Sequence, residues 1–222
     1  MTEFLSQYKD ILITGTLETL YMTFASTIFA YVLGLPLGVI MVITDKKGIA
    51  PNKALNSILG TIINIGRSIP FIILMVALIP FTRFIVGKAI GSTAAIVPLT
   101  IAAAPFVARM VESSLAELDP GVIEAAKTMG ATNRQIAYKV LLPESVPSLI
   151  RGFSITTITL IGYSAMAGAF GSGGLGDIAI RYGFHRYETE VMLITIVLIV
   201  AIVEVIQLVF NFVAKKIDKR NK

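Results

Sequence analysis

The chain has 222 residues, of which 55% are hydrophobic and 15% charged, and its mean hydropathy is +0.80. A soluble domain of this size carries about 25% charged residues, so the shortfall, with long uncharged runs, places the chain among membrane proteins. The net charge is +5, cysteine is absent and His185 is the single histidine, which excludes disulfides, thiol nucleophiles, thiolate metal sites and multi-histidine metal centres.

Met1 to Asp10 is mixed in charge and lacks a basic n-region, so no cleaved signal peptide is expected and the first span serves as its own insertion signal. A membrane helix needs about 20 mostly apolar residues. Five such spans are predicted: Thr19 to Thr44; Ser57 to Thr82, interrupted only by Arg67; Ala89 to Ala108; Gly152 to about Phe170; and Val191 to Ala214, interrupted by Glu204. The expected fold class is therefore an all-α membrane protein with five transmembrane helices. In span one, Gly34 and Gly38 form G-x-x-x-G, which lets helices approach closely; Pro36 between them offers the alternative of a simple kink. Arg67 and Glu204 lie at comparable depths from the inner ends of their spans. They could pair, or Arg67 could be interfacial with its stem snorkelling.

Lys and Arg decide the direction. One side collects Lys46, Lys47, Lys53, Arg109, Lys127, Arg134, Lys139, Arg151 and a tail with Lys215, Lys216, Lys219, Arg220 and Lys222; the other has Lys9, Arg83, Lys88, Arg181 and Arg186. The N-terminus is thus expected outside, and the C-terminus and the polar loop inside. A basic tail beside a hydrophobic span faces anionic lipid rather than nucleic acid.

The longest polar stretch lies between Glu112 and Pro143. Asp119 is a good N-cap, and Pro120 fits the first helical position. Gly130 suits the left-handed residue that ends a helix, and Thr132 with Gln135 reads as a capping box opening a second helix. That helix is expected from Asn133 to about Leu141, stopping before Pro143. Val122, Ala126 and Met129 are placed on one face of the first helix, Ile136 and Val140 on one face of the second. Helices this short need packing against neighbours or a partner. A connector lying at the membrane surface without a partner is the plainer alternative.

Within this loop run Glu124, Ala125, Ala126, then Gly130, then nine residues, then Val140, Leu141, Leu142, Pro143. The spacing resembles the cytoplasmic loop of the membrane subunits of bacterial ATP-binding-cassette importers, with Val140 where isoleucine is common. Asn64 to Phe71, Ile79 to Thr82, Ala104 to Phe106 with Ala108-Arg109, Gly162 to Met166 and Gly171 to Gly176 extend the likeness to the permeases of bacterial methionine importers. The resemblance implies a type I importer permease, with a transmembrane domain over residues 14–209 and a basic cytoplasmic tail over 210–222. It implies a homodimer in the bacterial cytoplasmic membrane, two copies of a soluble ATPase, and an extracytoplasmic substrate-binding lipoprotein. It also implies that Glu124, Ala125, Ala126, Gly130, Leu142 and Pro143 couple the chain to the ATPase. ATP and Mg would then be bound by that partner, with no cofactor in this chain and no catalysis by it.

Gly171-Ser172-Gly173-Gly174-Leu175-Gly176 matches G-x-G-x-x-G, but it follows a membrane helix rather than a strand, so a flexible external turn is expected. No phosphate-cradling G-x-x-x-x-G-K-[S/T] run exists. Small residues from Gly162 to Ala169, with Tyr163, Ser164 and Met166, form a candidate substrate path, Met166 being a flexible apolar plug; a packed helix interface with no opening is the alternative. Three functions compete. The first is an ATPase-driven permease for methionine (L-, D- or a close analogue) or another small amino acid. The second is an ion-coupled carrier, which would concentrate ionisable groups at the midplane. The third is a membrane anchor for a cytoplasmic enzyme, which leaves the fourth span's composition unexplained.

Overall fold

The computed structural model describes residues 2–218, with side chains from residue 8 onward. Lys219, Arg220 and Lys222 of the basic tail lie outside the described residues. All regular structure among the described residues is helical. Helix α1 (Thr2–Thr44) is a single 43-residue rod that carries the expected first span, Thr19 to Thr44, in its C-terminal part. Ahead of that span, Tyr8 and Leu12 of α1 pack in a separate cluster with Leu175, Ile178 and Val191.

Helix α5 (Ser92–Ala116) is the most buried of the candidate spans and forms the centre of the bundle. α1 packs along its length, and α2 (Lys53–Ser68) and α9 (Val146–Gly168) also lie against it. α11 (Thr189–Ile217) packs mainly on α9 and is the least buried. The α1–α5 seam decides between the two readings of Gly34 and Gly38. A Cβ on Gly34 would stand 2.7 Å from the Ala104 carbonyl oxygen, and one on Gly38 would stand 2.6 Å from that of Ala108. The motif is therefore a close-packing seam, and α1 runs through Pro36 without a break.

Among the described residues four helices are long and apolar enough to cross a membrane, and a bent pair, counted as one span, brings the number to five. Span two is not a straight helix. α2 ends at Ser68, and α3 (Phe71–Ala77) leaves at 97°. Pro70 pushes Ile69 into an extended conformation (φ −81°, ψ 122°), because its ring disfavours helical geometry in the preceding residue. The segment then turns through α4 (Ile79–Val86), which ends at left-handed Gly87. Span three starts at Ser92 instead of Ala89 and continues past Ala108 to Ala116; span four starts at Val146, ahead of Gly152. The core enclosed by α1, α5 and α9 includes Met22, Leu99, Val107, Val111 and Leu160.

The glycine-rich run after α9 is tightly packed, not a loose turn. It opens the short helix α10 (Gly174–Ile178), whose first amides are capped from α1. Gly174 N–H donates to Glu18 Oε2 at 2.7 Å, and Leu175 N–H donates to Thr19 Oγ1 at 2.9 Å. Gly173 and Gly174 have φ near +80°, and a Cβ on Gly176 would stand 2.4 Å from the Ala165 backbone. The glycines are required by the approach of α1 and α9, not by a ligand.

Candidate functional site: a polar loop and an open helix face

The loop between α5 and α9 forms from local signals. Asp119 accepts a hydrogen bond from Gly121 N–H at 2.8 Å and caps α6 (Pro120–Thr128). Gly130 closes it with φ +80°, its N–H donating to Lys127 O while Ala131 N–H donates to Ala126 O. This paired bonding is a Schellman ending. Thr132 and Gln135 form the reciprocal capping box that starts α7 (Asn133–Ile136).

From there the chain departs from the expected stop before Pro143. α7 passes into a π-helical turn (Ala137–Leu141) and then α8 (Leu142–Glu144), reaching α9 through Ser145. The Leu142 N–H donates to Ala137 O, five residues back. The wider turn relieves the contact between a proline ring and the preceding turn's carbonyls, so Pro143 is carried inside a helical path. The loop is thereby joined to α9 by nearly continuous helix. At its other end α5 extends eight residues beyond the expected Ala108.

Ile136 and Leu141 are fully buried, and Val140, Leu142, Ile123, Ala126 and Ala131 pack against the same core. On α6 the inward face is Ile123 with Ala126, not Val122, Ala126 and Met129; Met129 is 87% exposed. Glu124, Ala125, Gly130 and Pro143 are exposed, and Ala126 and Leu142 half-buried. The outward surface thus combines Glu124 with the apolar side chains of Val122, Met129 and Tyr138. Exposed methionine and tyrosine of this kind suit a protein contact.

The residues of the candidate path do not share one face. Ser164 is buried, and its hydroxyl donates to Ile161 O at 2.8 Å. Tyr163 is half-buried and its ring stacks on Phe71 at 4.7 Å, joining α9 to the segment after the Pro70 break. Met166 is 47% exposed and shares the open face of α9 with Ile155 and Gly162.

The sequence reading missed a polar stripe on α2. Ser57, Thr61, Asn64 and Ser68 are all exposed and recur at helical spacing along one side. Asn64 Oδ1 accepts from Arg109 Nη2 at 2.9 Å, and Arg109 pairs with Glu112 at 2.6 Å. The 3.6-residue period of these polar positions was available in the sequence, hidden by the high average hydropathy of the span. Arg67 and Glu204 do not pair within the chain. Both are exposed, and neither takes part in the ion pairs Arg109–Glu112, Arg151–Asp218 and Arg181–Asp177.

Comparison with known proteins agrees with this geometry. Residues 34–222 match the family described as binding-protein-dependent transport system inner membrane component. The probable D-methionine transport system permease protein MetI of Vibrio cholerae is 52% identical over 212 residues, covering 96% of this chain and 94% of the relative. The methionine import system permease protein MetP of Bacillus subtilis is 48% identical over 206 residues, covering 93% of each. A solved structure of the inward-facing MetNI methionine ABC transporter superposes with a TM-score of 0.94 at 50% identity, covering 96% of this chain and 99% of that one. The chain therefore belongs to the binding-protein-dependent transport system inner membrane components.

Proposed function

We propose that this chain is the membrane permease subunit of an ATP-driven methionine importer, working as a homodimer with two copies of a cytoplasmic ATPase and an extracytoplasmic substrate-binding lipoprotein. The observation that carries the reading is the loop. Its two capped helices expose Glu124, Val122, Met129 and Tyr138, while its inner side is packed on the core of the bundle. Near-continuous helix links it to α9, so a displacement imposed on the loop moves a span rather than a tether.

The roles follow from this placement. Glu124, Ala125, Ala126 and Gly130 form the part that the ATPase grips; Leu142 and Pro143 pass the movement into α9. ATP and Mg are bound by the ATPase, and this chain contributes no catalytic group. The loop and the tail face the cytoplasm, and the N-terminus faces outward. Residues 14–209 serve as the transmembrane domain, with 210–222 as the basic flank.

The open face of α9, with Gly162 and Met166, forms the substrate path together with the polar stripe of α2. Tyr163 and Ser164 support it from within the bundle. Hydroxyl and amide groups on one wall and an apolar methionine on the other suit a zwitterion with an apolar tail. The names borne by the half-identical relatives support methionine as the substrate. The test is uptake of labelled methionine by vesicles holding the assembled complex. Unlabelled methionine analogues should compete, whereas lysine and glutamate should not; equal competition by all of them would reject the substrate assignment.

A further inference from the structure

Two opposite charges in this chain lie within membrane spans and have no ion-pair partner among the described residues. Arg67 and Glu204 are both exposed, on helices that pack elsewhere: α2 on α1 and α5, α11 mainly on α9. Side chains of this kind face protein, water or one another rather than lipid. Glu204 has polar company on the outer side of α11, where Gln207 and Asn211 are also exposed. Such amide side chains hydrogen-bond between helices in a membrane.

The contacts between helices fix the depth of both charges. Ser148 bonds to Ser114 at 3.0 Å and Gly152 lies against Met110, which sets the register of antiparallel α5 and α9. On that register Pro105 stands level with about Thr157. Gly66 packs on Pro105, which places Arg67 at the same height. Phe210 packs its ring on that of Phe153 at 5.3 Å. Six residues outward from Phe210, Glu204 stands level with about Thr159. The two charges therefore sit within one helical turn of the same depth, about 5 Å.

We propose that Arg67 of one protomer forms an ion pair with Glu204 of the second copy, twice per dimer. A two-fold interface brings a residue of one subunit to a different residue of the other and repeats the contact in reverse. Two unpaired opposite charges at one depth on separate helices are what that geometry joins. The inference rests on the homodimer proposed above and adds the side chains that lock it at mid-membrane, next to the polar stripe of α2.

The chain has no cysteine, so the test is direct. Arg67→Cys and Glu204→Cys are combined in one chain, assembled with the ATPase, and treated with a short bis-maleimide. A direct disulfide is not required, because long Arg and Glu side chains hold the backbones beyond S–S geometry. The pair predicts a covalent dimer from the double variant and none from either single variant. In parallel, Arg67→Glu and Glu204→Arg should each lower uptake at least tenfold, and the combination should return it to within about threefold of wild type. Glu204→Leu separates this from a lipid-facing position: leucine suits lipid and would leave uptake unchanged, whereas the pair requires a loss. The mass of the wild-type complex is measured alongside. A dimer that neither cross-links nor shows rescue overturns the pair alone; a single copy overturns the dimer and the pair together.

Discussion

Gly130→Val isolates one backbone angle in the loop. Gly130 has φ +80°, and nothing lies within 4 Å of the position a Cβ would take. The substitution therefore meets no clash with a neighbour, and its effect is conformational. A left-handed conformation costs an L-residue about 1–2 kcal/mol, with β-branched valine at the upper end and asparagine nearer glycine. That penalty falls on a helix with no fully buried residue, α6, and on the turn that seats Ala131 against the core. A penalty of this size changes a two-state population by roughly 5- to 30-fold. We predict that Gly130→Val loses most ATP-driven uptake while remaining in the membrane, that Gly130→Ala is intermediate, and that Gly130→Asn is close to wild type. Hydrogen exchange over residues 120–141 should rise in the same order. Uptake and exchange in Gly130→Val equal to wild type would refute the reasoning, because valine then occupies the turn without penalty.

Other perturbations test other links. Single cysteines at Lys47, Lys127 or Lys216 should be shielded from an impermeant reagent in intact cells, and those at Lys88 or Arg186 labelled; labelling of position 127 from outside would reverse the orientation. Gly38→Leu drives a side chain into the Ala108 carbonyl and Val111. Overpacking of this kind costs about 1–3 kcal/mol, so the variant should unfold at lower temperature in detergent; an unchanged midpoint would mean that the α1–α5 seam is looser than described. Met166→Ala should leave assembly intact but raise ATP-independent leak of methionine, whereas Met166→Trp should slow transport. Wild-type rates in both would remove Met166 from the path.

The sequence carried the loop well because its signals are local. Asp119-Pro120, Gly130 and the Thr132–Gln135 box act within a few residues of themselves and appear in the structure as expected. The family resemblance was legible for the same reason, as fixed spacings of short motifs. What failed depended on distant contacts. The 97° break after Ser68 lies inside an apolar run whose average hydropathy conceals it, although Pro70 marks the position. Pro143 reads in the sequence as a helix stop, but a π turn absorbs its ring. The Gly171–Gly176 run reads in the sequence as a flexible external turn because its partners, Glu18 and Thr19, lie 156 residues earlier in the chain. The inward burial of Ser164 likewise follows from packing around α9, which composition does not encode.

The central claim is that a partner ATPase drives transport through the loop of a chain that catalyses nothing itself. The most direct measurement follows ATP hydrolysis and methionine uptake together in vesicles, with this chain, its ATPase and the substrate-binding lipoprotein all present. Uptake should require ATP and the lipoprotein, survive collapse of ion gradients, and be lost in Gly130→Val without loss of the protein. Uptake driven by an ion gradient by this chain alone, without ATP, would contradict it.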